Sequence, residues 1–297
     1  MIEVTQGNRP EEINMSGKHV LFVEGCGSDS FDSEVISELF DWKIRIEPLG
    51  SSYSINSVAE ALHPFHPTYY FLIDRDHHHD DNKVDYYWEN FPDPQTHNLL
   101  IWKYREIENY FLEPAYLEES DFLNVNIDTL EKKIIEFCQQ RLYLDVANYV
   151  IVSIREELKR NWIRIFSNPS DFSSRDLALG MLKNAGEFEA FRNEVGTAID
   201  HDEITRCFDD IFDIMTDGSE CLEFGKGKWL EMIGGKRVFS QVINSTCFKV
   251  VDLEGSLLHG KDKINQVAKN LLRKNISKQP DDFKKLKTLI LDRLNSE

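Results

Sequence analysis

Acidic residues stand at the ends of three apolar runs in the first part of the chain. HVLFVE (19–24) ends in Glu24, followed by Gly25. YYFLID (69–74) ends in Asp74, with Asp76 two residues on, and NLLIWK (98–103) is followed by Glu106 and Glu108. Carboxylates gathered at one place repel one another and raise each other's pKa. A divalent cation removes that cost, and hard oxygen ligands suit Mg²⁺ or Mn²⁺. Two such ions activate water and stabilise the leaving oxygen in phosphodiester cleavage. Taken singly, each acid is better read as a strand end or a helix cap. Taken together, they point to a metal-binding crevice.

The elements that would position these acids alternate. After the strand at 19–24 and the turn GCGSDS, FDSEVISELF (31–40) has helical spacing, with Phe31, Val35, Ile36 and Leu39 on one face and Asp29 or Ser30 as N-cap. KIRIEPL (43–49) alternates like a strand, and Ser57–Leu62 reads as a short helix. REIENYFLEPAYL (105–117) begins a helix that Pro114 interrupts or ends. Strands that are apolar throughout suggest a parallel sheet covered on both faces. Strands alternating with helices give an open α/β sheet, in which ligands sit outside the carboxyl ends of the strands. From about residue 120 the spacing is helical, over Asp128–Cys138, Leu142–Arg160, Gly186–Ala198, Glu203–Met215, Lys261–Lys274 and Asp281–Asn295. A boundary is expected near 118–127, with joints at 166–174 and 216–228.

Other residues carry weaker signals. His77-His78-His79-Asp80-Asp81 has the ligand types for Zn²⁺, but adjacent loop residues rarely wrap one ion, and a solvated loop is the better reading. Gly225-Lys226-Gly227-Lys228 lacks the GxxxxGK[ST] spacing of an ATP-binding loop. Cys26 has no histidine neighbour in sequence, and packing is its default role. Trp102, Tyr104 and Tyr110 have faces on which bases stack, although core aromatics are the simpler reading.

Four of these segments carry a resemblance. VEG (23–25) and IDRD (73–76) resemble the two signature motifs of TOPRIM domains, found in topoisomerases, primases and OLD-family nucleases. REIENYFLEP (105–114) is similar to the IENY segment of OLD-type TOPRIMs and of the related DUF4435 proteins, and Gly227-Lys228-Trp229-Leu230 resembles their Gly-Lys segment. The likeness covers about residues 17–118 and is nearest to the TOPRIM effectors of PARIS anti-phage systems. It implies a TOPRIM (Rossmann-like) α/β domain over 1–118, with a mostly helical C-terminal domain over 119–297. It implies a Mg²⁺- or Mn²⁺-dependent endonuclease in which Glu24 is general acid/base or metal ligand. Asp74 and Asp76 then hold metal, Glu108 completes a second metal position, and Lys228 stabilises charge on the phosphate, with Lys226 or Lys236 as alternatives. The commoner motif places an acid four residues after the glutamate, where this chain has Ser28. Asp29 or Asp32 is then the outer ligand. The resemblance further implies a nucleic-acid substrate (tRNA or DNA), an ABC-type ATPase partner that gates the enzyme, a homodimer when active, and abortive infection as the outcome. A DNA-nicking or RNA-processing TOPRIM enzyme and a non-catalytic acidic binding module are the alternatives.

Composition sets the bounds. At 297 residues and 41% hydrophobic, the chain is long enough for one sizeable core, and two compact lobes are expected. No transmembrane helix or secretory signal is expected, and five scattered cysteines without a CxxC pair suggest reduced thiols in a cytoplasmic protein. A net charge of −18 argues against non-specific nucleic-acid binding. That average hides a polarity, since residues 261–297 carry ten Lys/Arg against five acids, about +5, leaving about −23 for the rest.

Overall fold

Short apolar runs build the sheet. The computed structural model describes residues 19–27, 30–75, 80–159 and 186–295. In chain order the elements are β1 (Val20–Val23), α1 (Phe31–Leu39), β2 (Arg45–Pro48), α2 (Ser52–Leu62), β3 (Tyr69–Ile73), α3 (Asp81–Asn90), β4 (Leu99–Ile101), α4 (Ile107–Tyr110), α5 (Pro114–Leu117) and α6 (Ile127–Lys159). There follow α7 (Gly186–Ala198), α8 (His201–Thr216), α9 (Trp229–Met232), α10 (Gly235–Asn244), α11 (Gly260–Leu272) and α12 (Asp281–Asn295).

The four strands form one all-parallel sheet in the order β2-β1-β3-β4. The chain is thus of the α/β class, with helices predominating. β1, β3 and β4 are buried along their whole length, as strands covered on both faces must be. The edge strand β2 is half-buried, which is why its sequence alternates.

The chain divides into two compact units, Met1–Gln139 with Leu230–Glu297, and Gln140–Trp229. The grouping therefore differs from a split after residue 118, because the last 68 residues belong with the sheet rather than with the intervening helices. Aromatic packing holds them there. The Phe283 ring of α12 lies 5.1 Å from Tyr110, 5.6 Å from Trp102 and 5.6 Å from Phe111. Phe239 of α10 stacks on Phe111 at 5.3 Å.

Three helices fall where the sequence reading expects none, the single turn α9 and the longer α3 and α10. α3 buries only Val84 and Trp88, one turn apart, so most of its residues look like loop. Its N-cap Asp80 accepts from Lys83 N, and Trp88 Nε1 donates to Ile101 O at 2.7 Å, fastening α3 to β4. α10 buries Val238, Phe239, Val242 and Ile243, a helical stripe just after two glycines. Elsewhere α2 starts at Ser52 rather than Ser57, and α6 runs unbroken where two helices are expected, since no glycine or proline interrupts 139–141. Ser30 is the cap of α1, accepting from Ser33 N at 3.3 Å. Pro114 does separate α4 from α5. No helix among the described residues is long and apolar enough to cross a membrane.

Phe283 is fully buried among rings of the first unit. Phe283→Ala should therefore lower stability by about 3–5 kcal/mol in urea unfolding followed by tryptophan fluorescence. A loss below about 1 kcal/mol would mean that α12 is not part of this core.

Candidate functional site

The sheet order places β1 and β3 side by side while the chain leaves them in opposite directions, to β2 and to β4. That reversal is the switch point at which open α/β sheets bind ligands. Phe22 pairs with Phe71, so Glu24 emerges beside the end of β3. Its Oε1 accepts the backbone N–H of Asp74 at 3.0 Å. The turn after β1 is closed by a reciprocal pair, Gly25 N to Gly50 O at 2.9 Å and Gly50 N to Gly25 O at 2.8 Å. Gly25 has φ +131°, and a Cβ there would lie 2.6 Å from Ser30 Cβ, so only glycine fits.

Acids from four segments share this edge. Asp74 is buried, and its carboxyl is pushed well above the usual carboxylate range, by burial first and then by Asp32, Glu108 and Glu24. Glu108, on the first turn of α4, is raised to about 8 by burial and then chiefly by Asp32. Asp32, in the first turn of α1, is raised to about 6 by burial, with Glu106 adding and Lys236 opposing. Lys236 is the cation of the group. Desolvation works against its charge, but Glu108, Asp74, Asp32 and Glu106 together raise its pKa.

A local network sets these positions. Asn109 Oδ1 accepts from Glu106 N at 3.1 Å, while its Nδ2 donates to Leu230 O at 2.8 Å and Ile233 O at 2.9 Å. Arg105 N donates to Glu231 O at 2.8 Å. Glu106 Oε2 in turn accepts the backbone N–H of Lys236 at 2.6 Å. The approach is so close that a Cβ on Gly235 would stand 2.1 Å from Asn109 Oδ1 and 2.8 Å from its backbone nitrogen. The dipeptide Gly235-Lys236 thus brings an ammonium to the acids because its glycine has no side chain.

The structure therefore brings together Glu24, Asp32, Asp74, Glu108 and Lys236, with Glu106 beside them. Asp29, Asp76 and His77–His79 lie outside the described residues. Lys226 and Lys228 belong to the second unit. There Lys228 N donates to Ile214 O at 3.0 Å and Lys226 pairs with Glu223 at 2.7 Å. Gly227, at φ +62°, would with a Cβ come within 2.2 Å of Met215 O, so this Gly-Lys segment closes the end of α8. Trp102 and Tyr110 are core residues, and Tyr110 Oη donates to Asp282 Oδ2 at 2.7 Å. Cys26 is exposed rather than packed. Asn109 is the site residue that sequence reasoning overlooks. Its signal is a capping residue three positions after Glu106, in a reciprocal box at the start of α4.

Asp74 Oδ1 and Glu108 Oε2 are buried with no hydrogen-bond partner among the described residues. Orphaned hard oxygens of this kind fit a divalent cation by chemistry. As they stand, no group of three or more His, Cys, Asp or Glu among the described residues is gathered closely enough to hold an ion.

Two outcomes follow. The folded state holds the Glu108 proton more tightly than the unfolded chain, so stability falls as pH rises from about 4.5 to about 8 through this group. In metal-free buffer Glu108→Gln should be the more stable protein at pH 8.5, and its advantage should vanish toward pH 4.5. The gain is on the order of a few kcal/mol, since each tenfold in proton affinity is worth about 1.4 kcal/mol. Thermal melts of both proteins across pH check the sign. Gly235→Ala should cost about 1–3 kcal/mol by overpacking against Asn109. Gly196→Ala, where a Cβ meets nothing within 4 Å, should be neutral or stabilising in the same urea series.

Compared with models of known protein families, with curated proteins and with solved structures, the chain matches none.

Proposed function

We propose that this chain is a TOPRIM-type endonuclease that hydrolyses phosphodiester bonds in nucleic acid with Mg²⁺ or Mn²⁺. The observation that carries the reading is the convergence of Glu24, Asp32, Asp74 and Glu108 with Lys236 at the switch point, two of the carboxylates offering orphaned buried oxygens. Asp74 and Glu108, with Asp32 as the outer acid of the first motif, would hold the metal. When bound, the metal supplies an activated water and neutralises charge on the phosphate. Glu24 is oriented by the Asp74 amide and accepts or returns a proton at its carboxylate. Lys236 sets a positive charge where negative charge grows on the phosphate. The resemblance carries the reading further, to an anti-phage effector that cleaves tRNA and is held inactive by an ATPase partner.

The test is cleavage of separate DNA and tRNA pools in Mg²⁺. Glu24→Ala and Asp74→Asn should abolish activity while keeping the wild-type melting profile. Lys236→Met should lower kcat by about 10²–10³-fold, the usual cost of one charge-stabilising group. A folded Glu24→Ala protein with full activity would sink the assignment. If calorimetry finds no Mg²⁺ or Mn²⁺ binding that depends on Asp74, the acidic edge is a docking surface instead.

A further inference from the structure

Glu108 faces two ways. It belongs to the acid cluster, and it also lines a cleft of about 510 Å³ bordered by α10 and α11. Three cations, Lys236, Arg237 and Lys261, stand on the wall of that cleft against the one carboxylate. In a protein of net charge −18 this is a local reversal of sign, and it opens on the proposed scissile position. The start of α11 is already served, since Gly260 N donates to Asn244 Oδ1 at 2.9 Å and Asp262 stands in the first turn, so the side-chain cations carry the anion-binding character of the cleft. Phe31, Phe239 and Ile264 give the lining an apolar part, with Phe31 and Ile264 both half-buried.

One polar group asks for a donor. Asn265 Nδ2 donates to Glu34 Oε2 at 3.2 Å, which fixes the orientation of the amide. Its Oδ1 is buried and has no hydrogen-bond partner among the described residues. A ligand here must combine anionic groups, an apolar face and an N–H or O–H donor.

We propose that this cleft seats single-stranded polynucleotide next to the scissile phosphate. A flanking phosphate rests on Arg237 and Lys261, and a sugar or base lies against Phe31 and Ile264. The inference builds on the nuclease reading and names its substrate class. Sites of about 300–1,000 Å³ take small-molecule-sized groups, so one or two nucleotides fit and a duplex does not. A base in a duplex has its faces already stacked, whereas an unpaired base has a face free for an apolar wall. The donor for Asn265 is a ribose 2′-OH in RNA or a base amino group in either nucleic acid.

The test is the double variant Arg237→Ala/Lys261→Ala, both exposed and neither among the carboxylates. Cleavage of single-stranded RNA and DNA is measured in Mg²⁺, and binding by fluorescence anisotropy in Ca²⁺ across a salt series. KM should rise about tenfold or more with kcat within about twofold, the signature of lost uniform binding. The log–log salt slope should flatten by about 0.7, the value for one lost phosphate contact on a single strand. Arg237→Lys/Lys261→Arg should restore both. A duplex of the same sequence should compete at least about tenfold worse than the single strand. Tighter binding of RNA than DNA assigns the Asn265 donor to the ribose, and equal binding assigns it to a base. Unchanged KM and salt slope in the alanine variant, or equal competition by duplex, would overturn the proposal. A wild-type protein that cleaves nothing sinks the nuclease reading instead, and the anisotropy arm still decides whether this cleft binds single strands.

Discussion

The Asn109 side chain satisfies three backbone groups from two stretches of chain about 120 residues apart, and the site depends on it. Its oxygen orders the start of α4, which carries Glu108. Its nitrogen holds the carbonyls of Leu230 and Ile233, which lead directly into Gly235 and Lys236. One buried amide thereby fixes both an acid and the cation that faces it. Each of these bonds is worth only about 1 kcal/mol net, but leaving the carbonyls buried and unpaired would cost about 1–3 kcal/mol each. The asymmetry favours a single arrangement of the two segments over any partly formed one.

That arrangement works against its own stability. Burial raises Asp74, Glu108 and Asp32 toward protonation, and each acid adds to the others. Lys236 offsets part of the repulsion, one cation among five carboxylates. Apolar side chains would serve the core better at these positions. Strain of this sort is tolerated where the surrounding structure over-determines it, and here the determinants are strong. β1 and β3 are buried and in register, Gly25 and Gly50 lock the turn, and Phe111, Phe239 and Phe283 close the layer beneath α4. The fold holds together a cluster that is unfavourable in isolation, as sites of reaction commonly do.

Much of this was legible in the sequence, and the part that was not has a physical reason. Val20–Val23, Tyr69–Ile73 and Leu99–Ile101 announce themselves as fully buried strands because nothing polar interrupts them. Their trailing acids are then confined to one edge by the parallel order alone. The grouping of α10, α11 and α12 with the sheet was not legible, since it depends on ring packing such as Phe283 with Trp102 that no local spacing encodes. α3 was hidden by its polarity, because two buried residues in ten are enough when Trp88 reaches Ile101 O. Asn109 was hidden by its commonness. An asparagine near a helix start reads as a cap, and only the distant carbonyls reveal its second task.

The two Gly-Lys pairs show why a dipeptide alone carries so little meaning. At Gly227 the glycine is required by a left-handed φ of +62° and by the nearness of the Met215 carbonyl, so the pair ends a helix and its lysine belongs to that turn. At Gly235 the glycine sits on the first residue of a helix, and it is required by the nearness of Asn109 instead. The next residue, in the first turn of α10, has its N–H on Glu106 and its ammonium toward Glu108 and Asp74. The same two residue types meet two different steric demands, and the second brings an ammonium to Glu108 and Asp74. In a chain with 18 more negative than positive charges, a nucleic acid is repelled by most of the surface. The placement of a few cations against the acidic edge, more than their number, then decides whether a phosphate can approach it.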